Sequence, residues 1–212
     1  MPAGPSSALL IVVSAPSGAG KTTLCEQVLA HSPGVTRAVT CTTRSPRGTE
    51  RDGVDYYFLD PATFHRRVQA GEFLEHATVH GRSYGVLKAE VVGRLRQGHD
   101  VLLNVDVQGA ASVRAAAQAD AELRQALLTV FLAPASLAVL EERLRKRGTD
   151  SEEEMHRRLE VARQELARWP EFDYVIVSAS MAEDYRRMAV ILEAERLRAR
   201  RARLPQAPSS AR

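Results

Sequence analysis

Ala8-Leu9-Leu10-Ile11-Val12-Val13 is an unbroken apolar run that gives way to Ser14-Ala15-Pro16-Ser17-Gly18-Ala19-Gly20, a loop of small residues, after which Lys21 opens a helical pattern to about Ala30. A short continuous run without alternation predicts a strand buried on both faces of a parallel sheet. Val101 to Val105, Leu127 to Leu132 and Tyr174 to Val177 have the same texture, and helical patterns separate them. Strands alternating with helices predict an α/β fold around a parallel sheet.

Two segments break this rhythm. Residues 40–97 hold a Thr/Arg/Gly/Asp loop and short strand-like pieces such as Asp55-Tyr56-Tyr57-Phe58. Within them Asp60-Pro61 reads as a helix N-cap with proline at the first helical position, and Gly71 as the stop. Residues 136–168 hold two charged helical stretches around Arg147-Gly148-Thr149-Asp150. Both segments read as insertions into the core. No internal repeat is visible, and the basic, then Pro/Ser/Ala-rich end from Arg196 is expected to fray.

Composition narrows the class. The 212 residues are 44% hydrophobic and 26% charged, ordinary for a globular protein. With 29 basic and 26 acidic side chains the net charge is +3, too little to point to a nucleic-acid partner. The two cysteines, Cys25 and Cys41, suggest a reducing compartment rather than a disulfide framework. No run approaches the roughly 20 apolar residues of a membrane span, and the residues before Leu9 lack the positive cluster of a secretory signal. A cytoplasmic protein is expected; a homo-oligomer stays open.

Ala15-Pro16-Ser17-Gly18-Ala19-Gly20-Lys21-Thr22, with Thr23 after it, has the chemistry of a phosphate-binding P-loop. Small residues let successive backbone N–H groups wrap phosphate oxygens, and a helix N-terminus favours the anion. Lys21 would reach the β and γ phosphates of ATP, and the Thr22 hydroxyl would hold Mg2+. The general pattern begins with glycine; here Ala15 stands in that place.

Further along come Thr40-Cys41-Thr42-Thr43-Arg44-Ser45-Pro46-Arg47-Gly48-Thr49-Glu50, Val54-Asp55-Tyr56-Tyr57-Phe58, Gly71-Glu72-Phe73-Leu74-Glu75, Gly81-Arg82-Ser83-Tyr84-Gly85, Asn104-Val105-Asp106-Val107-Gln108-Gly109 and Arg143 through Thr149. In this order and spacing they resemble the guanylate kinase family over about residues 8–200. The resemblance implies a P-loop NTPase parallel-sheet core (8–39, 98–135 and 169–200), a GMP-binding lobe (40–97), a helical lid (136–168) and a basic, disordered tail (201–212). It implies transfer of the γ-phosphoryl of Mg-ATP to GMP or dGMP, with no membrane or nucleic-acid partner.

Arg44 and Arg47 lie three apart in a loop with few competing acids, so their guanidinium forks would clamp a dianionic phosphate. The resemblance adds Tyr56 and Tyr84 as donors to that phosphate and turns Thr40 toward GMP. Glu75 would accept from guanine N1–H and the 2-amino group, a pairing adenine cannot make. After Tyr84-Gly85 the family usually has a Ser or Thr donating to guanine O6; here it is Val86. Asp106 faces the nucleotide, toward either guanine or the water shell of Mg2+. The catalytic set implied is Lys21, Arg44, Arg143, Arg147 and Arg158. Arg143 and Arg147 lie four apart on one helix face, whereas Arg157 and Arg163 read as solvated. Ser178 replaces an Asn the family often places beside adenine. Two rivals stay open: a P-loop kinase for another small phosphorylated acceptor such as a ribose bisphosphate, and an inactive interaction module.

Overall fold

The computed structural model describes residues 7–79, 81–146 and 152–201. In chain order they form β1 (Leu10–Ser14), α1 (Lys21–His31), β2 (Val35–Arg37), β3 (Thr40–Thr42), β4 (Tyr56–Phe58), α2 (Pro61–Gln69), β5 (Phe73–Val79), β6 (Arg82–Leu87) and α3 (Lys88–Arg96). There follow β7 (Asp100–Asn104), α4 (Val107–Ala119), α5 (Ala121–Ala126), β8 (Leu127–Ala133), α6 (Leu137–Lys146), α7 (Glu152–Leu166), a 3₁₀ turn at Trp169–Glu171, β9 (Tyr174–Val177) and α8 (Met181–Arg196).

A five-stranded sheet, ordered β2-β7-β1-β8-β9, runs parallel throughout. Its central strand β1 is buried along its whole length. Ile11 and Val13 face one apolar cluster with Leu24, Val28 and Met188, while Leu10 and Val12 face the other with Leu103, Val113 and Leu123. This is why the strand reads as a continuous apolar run: alternate residues point into two different cores.

The first insertion builds a second sheet, β4-β3-β6-β5, around Cys41, Phe64 and Phe73. Asp60 caps α2 by accepting from the Thr63 amide, with Pro61 following it, and Gly71 turns at φ 66°. Helix α3, which falls within the expected lobe boundaries, packs Val91 and Leu95 against the central sheet beside Leu103 and Val105. The second insertion is the helix pair α6 and α7, joined through Leu140, Met155, Leu159 and Ala162. Arg201, where the sequence reading starts its tail, is buried: it pairs with Glu195 and donates to the carbonyls of Gln125 and Leu127. No helix among the described residues is long and apolar enough to cross a membrane.

Candidate active site

At the carboxyl end of β1 the chain turns through Gly18 at φ 88° and Gly20 at φ 98°, a left-handed geometry that glycine adopts without strain. The Ala19 amide donates to Pro16 O at 3.1 Å, and α1 starts at Lys21 with no side-chain cap. The first-turn amides of α1 are thereby left to an anion. Lys21 Nζ donates to Val105 O at 2.6 Å across the loop. Burial lowers its pKa, and the nearby Asp106 carboxylate opposes that shift. Ala15, Ser17, Thr22, Thr23, Asp106 and Glu165 close the rest of this cradle, a cavity of about 310 Å³.

A deeper cavity of about 380 Å³ opens between the central sheet and the inserted lobe. Thr22, Thr40, Tyr56, Glu75, Tyr84 and Asp106 all line it, so residues spread over 84 positions of sequence share one wall. Three strand-level facts place Glu75. It lies on β5 beside a register shift after Phe73, it pairs across the hairpin with Val86, and the neighbouring Gly85 admits no side chain. A Cβ on Gly85 would meet Glu75 O and His76 Cβ at 2.9 Å. A Cβ on Gly109 would lie 3.3 Å from Glu75 Oε2 and 3.5 Å from Asp106 Oδ1, so both carboxylates converge over this glycine. Burial and the Asp106 charge push Glu75 up to about 7.

Next to it, Arg44, Arg47, Arg82 and Tyr84 line an open basin of about 430 Å³. Arg44 donates through both Nη atoms to Glu50 at 2.8 Å and stacks 5.1 Å over the Tyr56 ring. The Arg47 amide donates to Glu50 Oε2 at 2.7 Å, and these bonds hold the Glu50 carboxyl down at about 2. The helix pair α6 and α7 also reaches the loop twice. Arg143 Nη1 donates to Ala19 O, and Glu165 Oε2 accepts from the Ser17 amide, each at 3.3 Å.

A sequence model described as guanylate kinase matches residues 7–195. This chain belongs to the guanylate kinase family. The guanylate kinase of Maricaulis maris is 44% identical over 190 residues, covering 90% of this chain and 84% of that one. The guanylate kinase of Thermotoga maritima is 41% identical over 192 residues, covering 91% and 89%. The crystal structure of guanylate kinase from Anaplasma phagocytophilum superposes with a TM-score of 0.65 at 31% identity, covering 92% of this chain and 90% of that one. The fold of this guanylate kinase family member is thus the P-loop NTPase fold.

The geometry refines three expectations, on Arg44, Asp106 and Arg158. Arg44 does have a competing acid: Glu50 takes its fork, which sequence distance along a loop does not reveal. Asp106 lies beyond β7, which ends at Asn104, and caps α4 by accepting from the Gly109 amide at 2.7 Å. Arg158 is partly buried on α7 and lines none of the four cavities described in this molecule. Arg147 lies outside the described residues. Arg157 and Arg163 are exposed, Arg163 pairing with Glu160. Glu50, Arg82 and Glu165 escaped the sequence reading. Glu50 was visible at the end of the arginine block, but nothing in the sequence signals that a lid glutamate reaches a loop 148 residues away.

Proposed function

We infer that this guanylate kinase family member is an ATP-dependent nucleoside monophosphate kinase that moves the γ-phosphoryl of ATP onto GMP, giving ADP and GDP, with the following division of labour. The P-loop amides and Lys21 hold the ATP phosphates. Arg44, Arg47 and Tyr84, with Arg82 beside them, hold the acceptor phosphate, and Tyr56 extends that grip into the deep cavity. Thr40, Glu75 and Asp106 read the base. The observation that carries this reading is the pair of carboxylates, Glu75 and Asp106, converging over Gly109 in a cavity that shares Thr22 with the phosphate cradle. Two acceptors at the end of a base-sized cavity match the adjacent N1–H and 2-amino donors of guanine. They leave an adenine edge, with its N1 lone pair, unpaired. An acceptor without a base would have no use for them.

The acceptor phosphate is already anionic, so no strong general base is required; alignment and charge neutralisation carry most of the rate. Arg143 stands on the lid where it touches the loop, placed to meet charge developing on the migrating group. The Thr22 hydroxyl supplies a hard oxygen donor on the cradle wall, and it suits Mg2+. No group of three or more His, Cys, Asp or Glu among the described residues forms a protein-only cage, which fits an ion held chiefly by phosphates and water. When bound, Mg2+ neutralises phosphate charge and orients the oxygens. The buried free thiols of Cys25 and Cys41 accord with a reducing, cytoplasmic setting.

The decisive experiment is a coupled ADP-release assay with Mg-ATP and GMP, dGMP, AMP, UMP or no acceptor in parallel. Fast turnover confined to GMP and dGMP is expected. Equal turnover with AMP would overturn the roles of Glu75 and Asp106.

A further inference from the structure

The cradle has a second neighbour. On the side away from Glu75, a cavity of about 400 Å³ shares Gly18, Gly20 and Thr23 with it and is walled by Arg143, Ser178 and Asp184. Among the described residues this cavity adjoins the cradle and leaves the one lined by Glu75 to the acceptor, so it is the place for the base of a donor nucleotide whose phosphates lie in the cradle. That placement rests on the kinase reading above.

The wall has a defined chemistry. Asp184 sits in the first turn of α8 with only 6% of its surface exposed. Its Oδ2 accepts from the Ser178 hydroxyl at 2.8 Å, and its Oδ1 accepts from the Ala179 amide at 2.9 Å. Two bonds from the β9–α8 turn therefore fix the carboxylate in one orientation. A carboxylate offers about four acceptor sites and no donor, so this one retains acceptor capacity after both bonds are made. The Ser178 hydroxyl spends its only proton on Asp184 and has none left for a ligand carbonyl. The Ser178 amide is also engaged, donating to Ala133 O at 2.8 Å. This part of the wall accepts hydrogen bonds and does not give them.

We propose that Asp184, oriented by Ser178 and the Ala179 amide, selects adenine as the donor base by accepting a hydrogen bond from its 6-amino group and rejecting purines with a 6-oxo group. A carbonyl oxygen facing this wall would meet a buried carboxylate with no proton between them, a loss that neither partner recovers from water.

The test is equilibrium titration of the full chain with ADP, inosine diphosphate and purine riboside diphosphate, in the wild type and in Asp184→Asn and Ser178→Ala. The expected wild-type result is ADP binding about 10- to 100-fold tighter than either analogue, the range of a hydrogen bond to a charged acceptor. Asp184→Asn should cut the preference over inosine diphosphate at least about tenfold, because its amide can donate to the 6-oxo group. Ser178→Ala removes one of the two bonds that orient the acid and should weaken the preference less than Asp184→Asn does. Should Asp184→Asn fail to fold, wild-type ADP and purine riboside diphosphate still decide the matter, since they differ only at the 6-amino group. Equal affinity for those two ligands, or an unchanged preference in a folded Asp184→Asn, overturns the proposal. The titration needs no phosphoryl transfer, so a failure of the acceptor assay and a failure here are read separately.

Discussion

The lobe built on β4-β3-β6-β5 and the helix pair α6 and α7, proposed above as acceptor lobe and lid, are both insertions into one sheet, yet they are held in different ways. In the lobe, charged groups are already paired by their own neighbours. Glu50 holds Arg44 and the Arg47 amide, and Glu90 on α3 accepts from the Val39 amide, the Tyr57 hydroxyl and Arg94 Nε. The lobe's sheet has an aromatic core in which Phe64 and Phe73 stack with centroids 4.5 Å apart. The lid has a small apolar seam between two helices, and its described hydrogen bonds to the loop are the two at 3.3 Å, near the long limit for such bonds. On the kinase reading proposed above, the lobe would recognise its ligand without rearranging, whereas two long bonds are a grip that a moving helix pair could break and remake.

That contrast sets the order of expected effects. Lys21→Ala removes the cation between the two regions, and kcat should fall by about 10³-fold or more with the thermal unfolding midpoint little changed, since phosphoryl transfer depends on charge neutralisation. A fully active variant, measured by ADP release, would remove Lys21 from the machinery. Glu75→Gln comes next, with an expected loss of about 10²-fold in kcat/KM for GMP, part of the discrimination available to an unpaired buried edge.

Glu75 also gives a pH signature. With its pKa near 7, kcat/KM for GMP should rise as pH increases through about 7, where the carboxyl becomes an acceptor at both oxygens, and Glu75→Gln should flatten that limb. The linked effect on stability has the opposite slope. Between the ordinary carboxyl value of 4.5 and about 7 the folded chain keeps a proton that the unfolded chain has released, so stability falls as pH rises through that window. Denaturant titrations at pH 5 and pH 8 should show this drop in the wild type and lack it in Glu75→Gln.

Glu50→Ala tests the lobe's preorganisation. The KM for GMP should rise about tenfold, the scale of one charge-assisted hydrogen bond, while kcat changes less. An unchanged KM would mean that the pairing of Arg44 is incidental. The smallest effect is expected at the lid. Burial raises the pKa of Glu165, and its carboxylate lines the cavity proposed above to hold the ATP phosphates. Glu165→Gln should therefore tighten ATP binding a few-fold by relieving like-charge repulsion. Weaker binding in that variant would make the Glu165 contact part of the nucleotide-bound state instead.

Three of the four apolar runs led to central-sheet strands that are apolar throughout because both faces are buried, whereas the fourth, Tyr174–Val177, forms the edge strand β9 and leaves Val175 and Val177 exposed instead of buried. Asp60, Pro61 and Gly71 marked α2 because caps are local chemistry. The short β2, Val35–Arg37, was not legible, since its pairing with β7 is set by residues far along the chain. The same division holds in the site. The P-loop and the arginine block are contiguous and could be read directly. Glu50 on Arg44, Glu165 on Ser17 and Asp184 under Ser178 depend on how separate elements meet, and no spacing encodes that.

The central position of β1 carries a consequence for how the protein is made. Leu10 pairs with Val101 on one side and with Leu127 on the other, so both neighbours of the first strand are synthesised long after it. A chain leaving the ribosome must hold β1 unpaired until β7 and β8 have emerged, and non-local parallel pairing of this kind closes slowly. The loop that follows β1 therefore takes its folded shape only after β7 and β8 have been made. Until then the apolar β1 stays without its sheet partners, the kind of unpaired strand edge that invites aggregation.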